Sequence, residues 1–406
     1  MIPVNEPLMA KNALKYVSEC IETGWISSAG SYIKKFEEKF AEYLGIKYAI
    51  STTSGTTALH LAIASLDIGQ DDEVIIPALT MIAVPYAVLY TGALPTMVDV
   101  DPEIFNINPA KIVDFIDRKC KYNPRTKQLV DKTTNRVVKA IIPVHLYGHP
   151  CLMDEVMEIA KNYNLYVVED AAEAHGALYF TKRLKTKENK TSKENLKKAV
   201  KAGSIGDVGC FSFYANKIIT TGEGGMVVTN SEKIAEKARR LKDLAHSPKK
   251  RFFHTELGFN YRMTNMQAAV GVAQMEEIDR FIEIKRKMAD KYKELLDNIE
   301  GLTLPVEKEW ARSVYWMYSV LVENNFGISR NEFMQKLREE NIDTRTFFIP
   351  VNEQPMFRDN ELYRSFSFPV AQELSEKGLY LPSGLALSEA QIIEVCNVIK
   401  KIRGNS

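Results

Sequence analysis

Residues 210–225 read Cys210-Phe-Ser-Phe-Tyr-Ala-Asn-Lys-Ile-Ile-Thr-Thr-Gly-Glu-Gly-Gly225. A β-like run, Val208 to Tyr214, delivers one lysine, Lys217, into a turn rich in Gly and Thr, and a second apolar run, Met226 to Val228, follows at once. A lysine held at a strand end beside small residues can form a Schiff base with an aldehyde cofactor, once burial or a cationic neighbour lowers its pKa. The same residues also describe a surface lysine in a hairpin turn, since Gly-Gly turns are common.

Upstream lies Leu165-Tyr-Val-Val-Glu-Asp-Ala-Ala-Glu-Ala-His-Gly176, which opens as an almost continuous apolar run and ends in Glu169-Asp170. That is the pattern of a parallel strand buried on both faces. A carboxylate at its C-terminal end stands where open α/β sheets bind ligands. Pyridoxal phosphate needs an Asp there to keep its ring nitrogen protonated. Capping the next helix, or pairing with an arginine, is the competing role for Asp170.

Further upstream, Ser51-Thr-Thr-Ser-Gly-Thr-Thr-Ala-Leu-His60 joins a strand candidate, Tyr48 to Ile50, to a helical pattern through Ala58, Leu59, Ala62, Ile63 and Leu66. Small hydroxyl residues and Gly55 at a helix start make an anion site from free N–H groups, hydroxyls and the helix dipole. Ordinary N-capping by Ser or Thr uses the same residues. No Gly-Lys-Ser/Thr follows, so this is not a Walker loop.

In order, the three segments give an anion cup, a strand-end Asp and a lysine. With them the chain resembles the DegT/DnrJ/StrS family of sugar aminotransferases, which use pyridoxal phosphate on the type I aspartate-aminotransferase fold. The resemblance extends to Ile2-Pro-Val, Trp25-Ile-Ser-Ser, His145-Leu-Tyr-Gly-His-Pro150, Gly258-Phe-Asn-Tyr-Arg-Met-Thr-Asn265, Tyr315-Trp-Met317 and Thr344-Arg-Thr-Phe-Phe348. It covers nearly the whole chain apart from two inserts. Glu173-Ala-His-Gly176 and Asn216 to Met226 favour the branch that aminates C4 of a GDP-linked 4-keto-6-deoxy sugar.

The resemblance implies roles for single residues. Lys217 is the catalytic lysine that carries the cofactor, and L-glutamate is the amino donor. Asp170 keeps the pyridine ring cationic, and Gly55, Thr56 and Ser212 bind the cofactor phosphate. Asn260 matches an asparagine that reaches the phosphate of the partner subunit, so a homodimer with shared sites is expected. Glu173 stands where many relatives carry Gln, near the ring hydroxyl, and two acceptors there need a shared proton. Met81 replaces the aromatic residue that stacks on the cofactor in the family; a thioether can also pack on a ring. His145 and His175 fall in family motifs as structural or catalytic groups. Arg345 is placed to grip an anion or to anchor its own loop.

Two other readings use the same fold. A dehydratase of this kind carries His in place of the lysine, and Lys217 opposes it. A non-catalytic sugar-nucleotide binding or regulatory protein would have lost the lysine or the Asp, and both are present.

At 406 residues the chain is long enough for two domains. The expected division is a large α/β domain with a mostly parallel sheet, residues 1–260, and a smaller C-terminal α+β domain, residues 261–406. Helix candidates at Ser31–Tyr43, Thr56–Leu66, Pro109–Arg118 and Asp154–Tyr163 alternate with strand candidates at Glu73–Ile76, Leu94–Asp99, Val137–Val144 and Leu165–Glu169. This alternation is the βαβ pattern. From Thr264 a long helical pattern is expected to bridge to the second domain. Fifty-three basic residues balance 52 acidic ones, so nucleic acid is not an expected partner. The five cysteines are scattered without Cys-x-x-Cys, which argues against disulfides or zinc and for a reducing, cytoplasmic setting. No signal peptide or membrane span is evident. Two polar inserts, Cys120–Arg136 and Thr181–Ala202, read as surface excursions, partly disordered or weakly helical.

Overall fold

The computed structural model describes residues 1–181, 198–247, 249–250 and 252–404. Its large sheet is built from β1 (Tyr48–Thr52), β2 (Asp72–Pro77), β3 (Leu94–Val98), β4 (Cys120–Asn123), β5 (Gln128–Asp131), β6 (Val137–Ile141) and β7 (Tyr166–Asp170). After the short hairpin β8 (Leu178–Thr181) and β9 (Lys198–Lys201), the sheet is completed by β10 (Val208–Ser212) and β11 (Gly225–Thr229). The spatial order is β1-β11-β10-β7-β6-β2-β3. Neighbours from β10 through β7, β6 and β2 to β3 run parallel, whereas β11 runs antiparallel to both β10 and β1. This is an α/β fold of the expected type, and it brings the C-terminal ends of β1, β7 and β10 to one edge.

Helices cover the sheet. The first three are α1 (Ala13–Glu22), α2 (Ser31–Leu44) and α3 (Gly55–Ser65). In α2 the buried residues Tyr32, Phe36, Phe40 and Leu44 recur at helical spacing. Phe36 and Phe40 meet Phe211 and Phe213, with centroid distances of 4.9 to 5.4 Å. Full burial of each ring contributes roughly 2–3 kcal/mol, and it fixes the strand that leads to Lys217.

The insert at 120–136 is not disordered or helical. It forms the β4–β5 hairpin, and β5 extends the sheet by pairing with β6. Leu129 is buried at this junction, and Tyr122 packs edge-on to Tyr163 at 5.6 Å. Thr134 then bonds the buried carboxylate of Glu73. Few apolar residues suffice because the sheet supplies the other half of the contact. In the second insert, β8 and β9 pair antiparallel; residues 182–197, where most of the expected excursion falls, lie outside the described residues.

The helical pattern after Thr264 becomes two helices, Asn265–Met275 and Ile278–Leu296. The break is fastened by its own acids. Glu276 accepts from Asn12 Nδ2 at 2.7 Å and from Tyr16 OH at 2.9 Å, and Glu277 accepts from the Lys11 N–H at 2.8 Å. The second helix joins two cores. Ile278, Phe281 and Ile282 pack with the large sheet, whereas Met288, Ala289, Tyr292 and Leu296 pack in a separate cluster. That cluster surrounds a four-stranded sheet of β12 (Leu302–Thr303), β14 (Tyr318–Val322), β15 (Arg345–Thr346) and β16 (Gly378–Leu381), and β13 (Ala311–Arg312) pairs instead with β8. Ile2 returns to it through a bridge with Ile342. All five cysteines are free and buried. Among the described residues, no helix is long and apolar enough to cross a membrane.

Candidate active site

β7 and β10 are adjacent and parallel, with Asp170 opposite Cys210. Their ends therefore deliver Asp170 and Ser212 to the same edge. β10 continues into the turn that carries Lys217, whose N–H donates to Tyr214 O at 2.9 Å. That turn is closed by bonds from Phe213 N to Gly224 O and from Thr221 N to Phe213 O.

Lys217 points inward. Its Nζ donates to Glu173 Oε1 at 3.4 Å and stands 3.8 Å from the centroid of the Trp316 ring. Glu173 also accepts from the Tyr147 N–H at 2.8 Å. Tyr147 holds a left-handed backbone, φ 55°, to present that N–H. Burial raises the pKa of Glu173, and the Lys217 charge pulls it back only in part.

Asp170 is buried, and burial raises its pKa too, against the Ala172 N–H and the Lys217 charge. Oδ1 accepts from the Ala172 N–H at 3.0 Å, which is the local turn role available to any strand-end Asp. Its other oxygen has no donor among the described residues. A buried carboxylate of this kind calls for a cationic partner.

The third component is the start of α3. Ser54 caps it and forms a capping box with Thr57. The N–H groups of Gly55 and Thr56 precede any intrahelical acceptor. A Cβ on Gly55 would stand 2.7 Å from Ser212 Cβ, so only glycine lets the helix start close against the end of β10. The result is a cup of N–H groups and the Ser212 hydroxyl, suited to a phosphate. Thr80 Oγ1 and both ring nitrogens of His175 are further buried polar atoms that make no hydrogen bond among the described residues. Burial, then the Lys217 charge, draws the pKa of His175 down to about 3, so its ring is neutral.

These features fit pyridoxal phosphate: an anion cup, an amine, and an acid requiring a cation converge at the ends of adjacent strands. The geometry brings together Lys217, Glu173, Asp170, Ser212, Gly55 and Thr56. Two further residues expected at the site make no hydrogen bond to that set among the described residues. Met81 is half exposed ahead of the helix Ala83–Tyr90. Asn260 is exposed and accepts from Arg262 Nε at 3.1 Å. Its neighbours Phe259 and Tyr261 pack on His60 of α3, with centroids at 4.6 and 5.8 Å.

His145 and Arg345 take structural positions. His145 Nδ1 accepts from the Cys151 N–H at 3.0 Å, so Nε2 carries the proton and donates to Glu169 at 3.0 Å. Glu169 also accepts from the N–H groups of Gly203, Ile205 and Gly206. Arg345 bonds Asp343 and the Thr344 carbonyl, which anchors its own loop.

Trp316 and Tyr147 are the site residues that residue-by-residue reading missed. Both lie inside motifs quoted above, but their contacts with Lys217 and Glu173 exist only after folding.

Known proteins place the chain clearly. Residues 7–400 match the model of the DegT/DnrJ/EryC1/StrS aminotransferase family. A GDP-perosamine synthase of Escherichia coli O157:H7 is 40% identical over 400 residues, covering 98% of each chain. One from Caulobacter vibrioides is 39% identical, covering 99% of this chain and 98% of the relative. Among solved structures, an aminotransferase from Psychrobacter cryohalolentis superposes with a TM-score of 0.84 at 30% identity, covering 98% of both chains. DesV of S. venezuelae, solved with a ketimine intermediate, superposes at 0.81 with 30% identity, covering 97% of this chain and 94% of that one.

Proposed function

Because the chain belongs to the DegT/DnrJ/EryC1/StrS aminotransferase family, we propose that it transfers an amino group from L-glutamate to C4 of a nucleotide-linked 4-keto-6-deoxy hexose, with GDP as the nucleotide and pyridoxal phosphate as the cofactor. The observation that carries this reading is the inward-facing Lys217, bonded to Glu173 beside the buried Asp170. The names of the two synthases above support the sugar and the nucleotide.

Bound at this site, pyridoxal phosphate would supply an electron sink and a carbon that carries the amino group between donor and acceptor. The chain's residues do the rest. Gly55, Thr56 and Ser212 hold the phosphate through N–H and O–H donors. Asp170 holds positive charge on the ring through its carboxylate. Lys217 Nζ would hold the cofactor and, as a free amine, would move the proton at the reacting carbon of the substrate. Glu173 Oε1 fixes the position of that amine, and the Tyr147 N–H fixes Glu173. The Trp316 indole covers the amine and keeps water from it.

The test is an amination assay with L-glutamate against GDP-, dTDP- and UDP-linked 4-keto-6-deoxy hexoses, with the product identified by mass and NMR. A 4-amino product from the GDP sugar is expected. Absence of amination with all three sinks the proposal, and a strong preference for dTDP or UDP overturns the nucleotide.

A further inference from the structure

The helix Ile278–Leu296 buries a lysine completely: Lys285 is 1% exposed. Its Nζ donates to Trp316 O at 2.8 Å and to Ser383 O. No carboxylate pairs with it among the described residues, and burial alone draws its pKa down to about 7. A buried ammonium without a counter-ion is costly, so its two carbonyl partners deserve a reason.

The first of those partners reaches the catalytic turn. Trp316 donates through Nε1 to Asn216 O at 2.7 Å, the residue before Lys217, and lays its ring 3.8 Å from Lys217 Nζ. Asn5 Nδ2 donates to the same Asn216 oxygen at 3.1 Å. Ser383 accepts from the Tyr318 N–H at 2.9 Å through Oγ, and its own N–H donates to Val4 O at 2.8 Å. Tyr315, just before the indole, is held at φ 46°, a left-handed conformation that a bulky residue adopts only when its surroundings impose it. Tyr318 already pairs with Leu381 between β14 and β16, and Lys285 adds a tie one step beyond that pairing, at Trp316, whose ring lies over Lys217.

We propose that Lys285 is a positioning residue for amino transfer: its ammonium gathers the Trp316 and Ser383 carbonyls and thereby fixes the indole against Lys217. The proposal rests on the assignment of Lys217 above. An apolar residue of similar length would leave two buried carbonyls without donors and free the turn to move.

The experiment compares Lys285→Met with Lys285→Gln, two side chains of equal reach, each one atom shorter than lysine, of which Met has no donors and Gln keeps two N–H donors. The first readout is the emission of Trp316 in the cofactor-free protein, isolated by Trp25→Phe and Trp310→Phe. Emission is followed against pH, and the step that disappears in Lys217→Ala is the one due to the charge on Lys217. Lys285→Met should displace that step by about one pH unit or abolish it, with Lys285→Gln between it and the parent. In the loaded enzyme, kcat should fall about ten-fold for Lys285→Met with little change in KM, and less for Lys285→Gln. A Lys217-dependent step left unmoved in whichever variant folds overturns the proposal, even if melting temperature drops. Equal damage from Met and Gln overturns it as well. Should the parent aminate no keto sugar, the assignment of function fails while the emission step still judges Lys285.

Discussion

Lys217 and Glu173 form a buried pair, with Nζ 3.4 Å from Oε1. Neither side chain reaches bulk water freely, and the Tyr147 N–H occupies the other carboxylate oxygen. The pair is therefore held from both ends. Losing either partner leaves the other with a desolvation cost and no compensation.

Glu173→Gln tests the acid directly. Burial raises the folded-state pKa of Glu173 above its unfolded value. A proton is thus held more tightly in the folded protein. The stability this gives is full below the ordinary carboxylate range and is lost as pH rises through the raised pKa. Gln carries no such dependence. The melting temperature of the cofactor-free Glu173→Gln protein, relative to wild type, should climb as pH rises above the ordinary carboxylate range. A calorimetric difference that is flat or falls over that rise contradicts the assignment.

Asp170→Asn keeps the shape and the Ala172 N–H contact but removes the negative charge. An amide cannot hold a cation on the ring nitrogen. Turnover should fall about 10²-fold or more while phosphate-anchored cofactor binding survives. Turnover within a few-fold of wild type, measured on cofactor-saturated protein, would rule out the proposed role.

Lys217→Ala should fold, since the turn is closed by backbone bonds rather than by this side chain. Turnover should drop by about 10³-fold or more. Borohydride reduction of the wild-type holoenzyme, followed by peptide mapping, should place the phosphopyridoxyl label on Lys217. A label on any other lysine defeats the assignment.

Much of this was legible in sequence where one segment carries its own explanation. The apolar run before Glu169-Asp170 becomes β7, and the Ser-Thr-Gly cluster after β1 becomes the cap of α3. Both signals are local, set by period and by capping chemistry. What stayed hidden depends on contacts across long separations. Trp316 lies 100 positions from Asn216, whose carbonyl its indole bonds. Lys285 looks like one more charge on an amphipathic helix until Ser383 and Trp316 close over it. The insert at 120–136 misleads for the opposite reason. Its composition is too polar to fold alone, but Val137 and Val138 at the start of β6, ahead of the pairing of β6 with β7, give β5 a strand to pair with. The helix break at Glu276 and Glu277 is likewise invisible, because the residues that fasten it belong to 11–16.

The last prediction concerns the site's dependence on a second subunit. Asn260 is exposed, and Phe259 and Tyr261 hold its loop on α3 through His60, so its side chain is turned away from the chain's own core. Family resemblance assigns the matching asparagine to the cofactor phosphate of a partner. In such a homodimer, Lys217→Ala and Asn260→Ala damage different chains' contributions to each site. A mixed dimer then has one site with both lesions and one with neither. After free exchange of equal amounts, about a quarter of all sites should be intact, although each parent variant is nearly inactive. Activity of the mixture should rise to about that fraction of wild type, with exchange verified by mass-tagged subunits. If proven exchange yields only the mean of the two parents, Asn260 serves its own chain or no site at all.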